Sequence, residues 1–406
     1  MLTSLSLIFL AGLAMAALCQ AFRLPRIIGM LFTGILLGPY VLNLLDPSVL
    51  SVSADLRQLA LIIILLKAGL SLNLADLKKV GRPAIMMAIL PASFEILAFF
   101  LFAPSILHIT PIEAAVMGAV MGAVSPAVVI PRMVQLMESN YGTDKSIPQL
   151  IMAGASCDDI FVIVLFSTFS SMARGGSAQA MDFVNIPISI LSGILLGWAA
   201  GYGLSLLFET AYIRRHYIRN SMKVIIVLGT AFLLMAIETW LKGIFAVSGL
   251  LAVVSMACII RLKSIPSVSA RLAEKFGKLW LAAEVVLFVL VGAAVDIRYT
   301  ARAGGAAILM IFIALSLRSL GVILCFLGTP LNRRERLFCV IAYLPKATVQ
   351  AAIGSVPLTM GLACGPLVLS AAVLGILITA PLGALGIDLT YKHLLQKERY
   401  WETTKQ

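Results

Sequence analysis

Charged side chains are scarce in this sequence. Only 12% of the 406 residues are Asp, Glu, Lys or Arg, whereas 61% are hydrophobic. Soluble globular domains carry roughly 25% charged residues, so this composition excludes a soluble fold. The apolar residues come in blocks of about 20, the length that crosses a hydrocarbon core about 30 Å thick. We therefore expect an all-α polytopic membrane protein.

The apolar blocks predict about 13 transmembrane helices without a soluble domain or long linker between them. Their expected positions are residues 2–21, 26–42, 56–73, 82–103, 111–137, 148–172, 184–208, 221–240, 244–260, 274–295, 304–327, 335–358 and 367–390. Residues 1–406 are thus expected to form a single integral membrane unit.

Cysteine is also scarce, and its placement excludes a cysteine metal centre. The six cysteines lie in or beside apolar blocks and lack the spacing of metal ligands. We expect them to be packing thiols.

Basic residues outnumber acidic ones, and the net charge is +12. The first apolar block lacks a basic segment before it and is followed by Arg23 and Arg26, which favours a first helix with its N-terminus outside over a cleaved signal peptide. In that orientation most Lys and Arg residues lie in cytoplasmic loops and the C-terminal tail. The external loops contain Arg57, Arg174, Lys242, Arg298 and Arg302. The positive charge therefore sets orientation in a cell (inner or plasma) membrane, with a cytoplasmic C-terminus, and indicates no nucleic-acid partner.

An internal repeat is the next feature of the sequence. "AGLSLNLADLKKVGRPAI" (68–85) aligns with "VGAAVDIRYTARAGGAAI" (291–308) at a shift of 223 residues. The same shift places Glu95 on Arg318 and Ser125 on Thr348. Predicted helices 3, 4 and 5 thus match helices 10, 11 and 12, an odd offset that requires opposite orientations in the membrane. Inverted-topology repeats of this kind are typical of secondary transporters, whose substrate site lies where the repeats meet.

Helices 5 and 12 contain residues that interrupt a helix. Pro126 and Pro131 lie near the middle of helix 5, and Pro345 lies in helix 12. Each proline removes a backbone donor and strains the preceding turn. Matched interruptions in two repeats predict two discontinuous helices that cross at a transport site, because broken helices are tolerated only where they are buried or line a cavity. Ordinary proline kinks are the alternative.

Two adjacent aspartates lie in "GASCDDIFVIVLFSTF" (154–169), within an otherwise apolar helix. A charge at the bilayer centre is unfavourable by several kcal/mol, so intramembrane carboxylates usually mark an ion or proton pathway. Side chains of neighbouring helical residues diverge by about 100°, so Asp158 and Asp159 are expected to face different surroundings. A structural salt-bridge element is the other interpretation of this pair.

Other polar residues accompany the aspartates inside the membrane. Glu95 and Arg318 have opposite signs at equivalent repeat positions, so we expect them to form a structural pair. Lys346 lies at the expected break in helix 12, where it would offset the carbonyl ends of half-helices or pair with an aspartate. Ser125 and Thr348 would bring hydroxyl oxygens to the crossing, as a hard cation requires.

These segments resemble the monovalent cation/proton antiporter superfamily, and within it the NHA-type sodium/proton antiporters. The resemblance rests on "CDD" (157–159), "SPAVVIP" (125–131), "LPKATVQAAIGSVPL" (344–358), "TGILLGPYVL" (33–42) and Arg318. It implies an antiporter fold with core, ion-transport helices at about 82–172 and 304–390. Dimerisation or scaffold helices would lie at about 1–73 and 184–295, in a homodimer.

The resemblance also implies roles for single residues. Asp159 would be the ion- and proton-binding carboxylate and Asp158 its companion, so that both are candidate ligands of Na+ or Li+. Arg318 stands where related antiporters often have a lysine that pairs with the companion aspartate. The branch tends to have an acid in a "GAEVS"-like stretch, whereas Ala294 stands at that position here and Asp296 follows two residues later.

We therefore predict a secondary active antiporter that exchanges Na+ or Li+ for H+ by alternating access, with both ions competing for Asp159. It would not be an enzyme, and it would need no cofactor beyond its transported ions and the surrounding lipid. A K+/H+ exchanger of the same fold, a cation channel and a Na+-coupled organic-anion symporter are the alternatives. An intramembrane aspartyl protease is disfavoured, because its two carboxylates must face each other from separate helices.

Overall fold

The computed structural model describes residues 1–22, 24–71, 81–174, 180–213, 219–241, 245 and 247–397. Nearly all of these residues are helical. The helices are α1 (Leu2–Ala21), α2 (Arg26–Leu37), α3 (Pro47–Ser51), α4 (Ser53–Ser71), α5 (Arg82–Leu107), α6 (Pro111–Met121), α7 (Pro126–Glu138), α8 (Ile147–Arg174), α9 (Ala180–Ile213), α10 (Asn220–Leu241), α11 (Gly249–Lys263), α12 (Pro266–Ala293), α13 (Ile297–Cys325), α14 (Arg333–Ala342), α15 (Thr348–Gly354), α16 (Val356–Thr359) and α17 (Gly365–Leu394).

Each predicted span corresponds to a helix or to a pair of half-helices. In the described part of the chain, nine segments are individually long and apolar enough to cross a membrane. The remaining predicted spans are the short helices α2 and α11, the charged helix α4, and the broken pair α14 and α15. The prediction of an all-helical polytopic protein is confirmed.

The fifth predicted span is discontinuous. Helix α6 ends at Met121 and α7 begins at Pro126, with the extended residue Ser125 before it. Proline at the first helical position loses no intrahelical bond, because that amide has no partner within the helix in any case. Pro126 therefore begins the second half-helix, as the sequence predicts for a discontinuous span.

Pro131 requires a correction, because it does not interrupt the span. It lies inside the continuous helix α7. The hydrogen bond that it removes would have ended at the carbonyl of Ala127, in the first turn of that helix, where the surrounding bundle tolerates the loss. Only Pro126 marks the break.

The twelfth predicted span breaks at the matching place. Helix α14 ends at Ala342 and α15 begins at Thr348, so Pro345 lies in the unwound residues 343–347. The repeat shift of 223 carries the first unwound segment, 122–125, onto 345–348. The two interruptions therefore occupy equivalent positions in the repeats, within about two residues.

The helices pack in two groups. The first, called the core group here, consists of α5–α8, α13–α15 and α17. The second, the scaffold group, consists of α1, α2, α4 and α9–α12. The groups meet along a seam where α4 and α12 contact α15, and where α11 contacts α8. Helix α8 carries the paired aspartates, so the seam passes beside them.

Candidate functional site

The two unwound segments contact each other through their backbones. The amide of Ser125 donates to the carbonyl oxygen of Pro345 over 2.7 Å. The side chain of Gln350 joins the segments as well, because its Nε2 donates to the carbonyl of Ala123 (2.8 Å) while its Oε1 accepts from the amide of Ala347 (2.8 Å). Polar backbone groups freed by the breaks are thus satisfied inside the protein, as the membrane interior requires.

Four charged side chains converge beside this crossing. Arg318 on α13 donates to Glu95 on α5 (2.7 Å) and lies 3.2 Å from the carboxylate of Asp158 on α8. Lys346, in the unwound segment, donates from Nζ to the same Glu95 oxygen at 2.5 Å. All four side chains are at most 1% exposed. Two cations and two anions thus form a buried cluster without net charge.

The predicted pair of Glu95 and Arg318 is therefore present, although the guanidinium of Arg318 does more than pair. Its Nε donates to the carbonyl of Tyr343 (2.9 Å), and Nη1 also donates to the carbonyl of Gly122. These two carbonyls lie at the ends of the unwound segments. Arg318 thus connects the charge cluster to both helix breaks.

Lys346 meets one of its two expected environments. Its Nζ lies 3.4 Å from the carbonyl oxygen of Ala123 in the facing break, as expected for a cation that offsets exposed carbonyl groups. Its carboxylate partner is Glu95 rather than an aspartate such as Asp296. The sequence did not identify this partner, because Glu95 reaches Lys346 only when α5 packs against the second break.

The two aspartates face different surroundings, as their helical spacing predicts. Asp158 is fully buried and its Oδ2 accepts from the amide of Val124 (2.8 Å) and from Arg318. Asp159 is 7% exposed and lines a cavity of about 20 Å³ at the seam, room for about one water-sized species. The other residues lining this cavity belong to α4, α8, α11 and α15.

Buried oxygen atoms without a partner are found on three of the predicted ion-binding residues. Within the described ranges, Ser125 Oγ, Asp158 Oδ1 and Asp159 Oδ1 have no hydrogen-bond partner. Ser125 follows Val124, whose amide binds Asp158, so Ser125 lies beside Asp158. Thr348 is 2% exposed at the first position of α15, next to the cavity-lining residue Val349.

Sequence reasoning missed two residues that support the crossing. Gln350 bonds both unwound segments, and Thr379 on α17 accepts from the amide of Lys346 at 2.9 Å. The sequence signal for Gln350 was an amide side chain within an apolar half-helix, where an unpaired polar group is unfavourable. Thr379 gave no comparable signal, because a hydroxyl in a membrane helix can bond its own backbone, as Thr379 also does with Gly375.

The arrangement provides hard oxygen atoms. In the part of the chain that the structure describes, no group of three or more His, Cys, Asp or Glu residues is placed to hold a metal ion. A buried carboxylate beside a small cavity at the seam suits reversible binding of a small alkali cation or a proton.

Comparisons with known proteins agree with the resemblance noted in the sequence. The family model described as "Sodium/hydrogen exchanger, transmembrane" matches residues 5–392. Sodium/hydrogen exchanger 9B2 of Mus musculus is 34% identical over 395 residues, which cover 93% of this chain and 70% of that protein. Sodium/hydrogen exchanger 9B1 of Homo sapiens is 32% identical over 399 residues, covering 94% and 74%.

A solved structure has the same fold. The sodium proton antiporter MjNhaP1 from Methanocaldococcus jannaschii, at pH 8, superposes with a TM-score of 0.82 and covers 97% of this chain and 98% of its own. Its sequence identity of 19% restricts this likeness to architecture. The family match and the curated relatives extend over nearly the whole sequence, and the chain therefore belongs to the sodium/hydrogen exchanger family.

Proposed function

We propose that this chain exchanges Na+ for H+ across a membrane, and that both ions compete for the carboxylate of Asp159. Sodium/proton antiport is the activity of the family to which the chain belongs. Assignment to Asp159 is supported by one observation above all. Asp159 is a buried acid beside the two helix breaks, and the cluster of four charged residues leaves its charge uncompensated. Asp159 also lines the cavity at the seam.

The charge balance explains why the carboxylate would bind a cation. Glu95 and Asp158 are neutralised by Arg318 and Lys346 within the cluster. An ionised Asp159 then needs a counter-charge of its own, since an isolated charge in a low-dielectric interior is strongly unfavourable. A proton or a sodium ion supplies that charge, and occupation by one excludes the other.

Nearby oxygens would complete the coordination of a dehydrated cation. The unpartnered atoms Ser125 Oγ and Asp158 Oδ1 support a shared role in binding with Asp159, and Thr348 would add a hydroxyl. Asp158 would act mainly as the companion that fixes Arg318 and the Val124 amide. Lithium would compete at the same atoms, because it also prefers oxygen ligands.

The position of the cavity supports alternating access. Asp159 belongs to the core group, whereas Leu61, Leu65 and Val254 on the facing wall belong to the scaffold group. Movement of the core group along this wall would expose the carboxylate first to one side of the membrane and then to the other. The scaffold helices at about 1–73 and 184–295 would remain fixed and form the homodimer.

The remaining features of the proposal follow from the transport class. The protein would act in a cell membrane with its N-terminus outside and its C-terminus in the cytoplasm. It would catalyse no covalent reaction and use no cofactor. Its partners would be lipid and a second copy of itself.

The proposal is tested by the substitution Asp159→Asn in proteoliposomes that contain a pH-sensitive dye. A sodium pulse should move protons through the parent protein, whereas the variant should behave like empty vesicles. The variant should also lose the stabilisation that sodium gives to the folded protein. Asp388→Asn is the matched control, because that carboxylate pairs with Arg132 at an exposed position. Parent-like exchange by Asp159→Asn would refute the assignment.

A further inference from the structure

A second charge near the seam has no partner among the described residues. Arg57, which the sequence predicts in an external loop, lies inside α4 and is 5% exposed. Its Nε and Nη1 atoms are buried and form no hydrogen bond among the described residues. No described carboxylate forms an ion pair with it. A buried guanidinium without a neighbouring anion is unfavourable, so its retention at this position indicates a functional role.

Arg57 shares a helical face with the wall of the Asp159 cavity. It precedes Leu61, Ile64 and Ala68 by four, seven and eleven residues, the spacing of one continuous stripe on an α-helix. All three of these residues line the cavity. Leu61 is about 6 Å further along the helix axis, and Ala68 about 17 Å. Arg57 therefore lies on the surface of α4 that faces the core group, beyond one end of the cavity.

The two unpartnered charges are complementary. Asp159 carries one negative charge on the core side of the seam, and Arg57 carries one positive charge on the scaffold side. In this conformation they are separated along α4, because side chains on a helix lean towards its N-terminus, away from the cavity. A movement of the core group towards the start of α4 would bring them together.

We propose that Arg57 is the docking partner of the empty, ionised Asp159, and that this ion pair holds the unloaded core group at one end of its movement. The proposal deepens the proposed function and rests on it. A proton or sodium ion on Asp159 removes the negative charge, and the attraction to Arg57 disappears. Only the loaded carrier then returns, so transport in one direction is coupled to transport in the other.

The test measures coupling rather than rate. Proteoliposomes loaded with sodium are held at alkaline pH, where protons are scarce and the empty carrier is most populated. Valinomycin and potassium clamp the membrane potential, while tracer sodium loss and proton gain are recorded together. The parent protein should lose sodium only in proportion to proton gain. For Arg57→Gln, sodium lost per proton gained should rise about twofold or more, because the empty carrier now returns.

Matched variants separate charge from folding. Arg57→Lys keeps the cation and should restore the parent ratio. If Arg57→Gln does not fold, Arg57→Cys in a background without other cysteines can be labelled by an aminoethyl thiosulfonate, which restores a positive charge, or by a neutral reagent. The charged label should restore coupling in the same protein sample, and the neutral label should not.

Two results would overturn the inference. One is an unchanged ratio in Arg57→Gln, or in the neutrally labelled cysteine variant. The other is a loss of coupling in the parent protein when chloride is replaced by gluconate, which would make Arg57 a site for an inorganic anion. Neither result affects the assignment of Asp159, which fails only if Asp159→Asn still exchanges sodium for protons.

Discussion

Glu95 and Arg318, which are 223 residues apart and equivalent in the two repeats, form a buried ion pair at 2.7 Å. The pair connects α5 with α13, and Lys346 binds the same carboxylate oxygen. Each repeat thus contributes charged side chains to a single cluster, which lies where the two broken helices cross. A simple exchange of the two charges would place a glutamate beside Asp158 and an arginine beside Lys346, so we do not expect such a swap to restore stability.

The stability losses caused by removing Glu95 and Lys346 should be coupled. Glu95→Gln leaves two buried cations in the cluster with Asp158 as their one anion. Breaking a buried pair typically lowers stability by roughly 3–5 kcal/mol. We expect Glu95→Gln and Lys346→Met each to lower the melting temperature in detergent, and the double variant to lose less than the sum of both losses.

The exposed pair Glu274–Lys278, at 2.6 Å on α12, provides the control for this cycle. Glu274→Gln should leave the melting temperature nearly unchanged, because exposed pairs contribute little. Strictly additive losses for Glu95 and Lys346 would contradict a coupled cluster.

Sodium affinity should fall as the pH falls. Protons and sodium ions compete for Asp159, so a protonated carboxyl group must release its proton before sodium binds. Below the pKa of that group, the apparent KM for sodium should rise about tenfold per pH unit, since each unit multiplies the proton concentration by ten. Saturating sodium should restore the rate. A constant KM together with a falling rate would indicate a separate pH sensor.

One proton should exchange for one sodium ion. Asp158 is held by Arg318 and the Val124 amide, so only Asp159 is expected to change its occupant during transport. Exchange is then electroneutral, and an imposed valinomycin potential should leave its initial rate unchanged. A rate that follows the imposed potential would show that a second proton moves, with Asp158 as the first candidate.

The sequence contained enough information for the architecture and for part of the site. Hydrophobic length predicted the spans, and the prolines predicted both breaks. The 223-residue shift matched the two breaks and predicted the pairing of Glu95 with Arg318. Each of these features depends on local chain properties or on symmetry, which a sequence records directly. Helix ends were less predictable: α12 begins at Pro266, whereas hydropathy placed its start near residue 274. Hydropathy follows the membrane boundary, not the end of the backbone hydrogen bonds.

Partner choice at the site depends on how distant segments converge. Lys346 could have met an aspartate, and only the packing of α5 against the break brings Glu95 to it. Arg57 resembled a loop residue because it lies at the edge of an apolar block, and its burial depends on what the neighbouring helices cover. The sequence alone does not distinguish Pro131 from Pro126 as a point of interruption. Pro131, however, lies five residues after the start of the second half-helix and does not end that helix.

Gly383 on α17 should be sensitive to a single added methyl group. A Cβ atom at this position would lie 2.3 Å from Cγ of Pro345, whose carbonyl accepts from Ser125 at the crossing. Gly383→Ala should therefore displace the second break, with a loss of roughly 1–3 kcal/mol from overpacking, and slow the exchange. Gly229→Ala is the control, since nothing lies within 4 Å of its added methyl. Equal activity of both variants would mean that Pro345 can shift freely.

A disulfide across the seam should stop transport reversibly. Ser167 on α8 and Ser248 at the start of α11 have their hydroxyl oxygens 3.1 Å apart, close enough for paired cysteines to form a disulfide. This bond would join the core group to the scaffold group. With the native cysteines replaced, oxidation of Ser167→Cys/Ser248→Cys should abolish sodium/proton exchange, and a reductant should restore it.

A disulfide within the scaffold group is the control for that crosslink. Ser205 on α9 and Ser264, just after α11, are also separated by 3.1 Å, and both belong to the scaffold side. Oxidised Ser205→Cys/Ser264→Cys protein should continue to exchange sodium for protons, because this disulfide restrains no movement between the groups. If the seam disulfide forms completely and exchange continues at the parent rate, α8 does not move against α11 during transport. The access to Asp159 would then have to change through a local opening of the cavity instead.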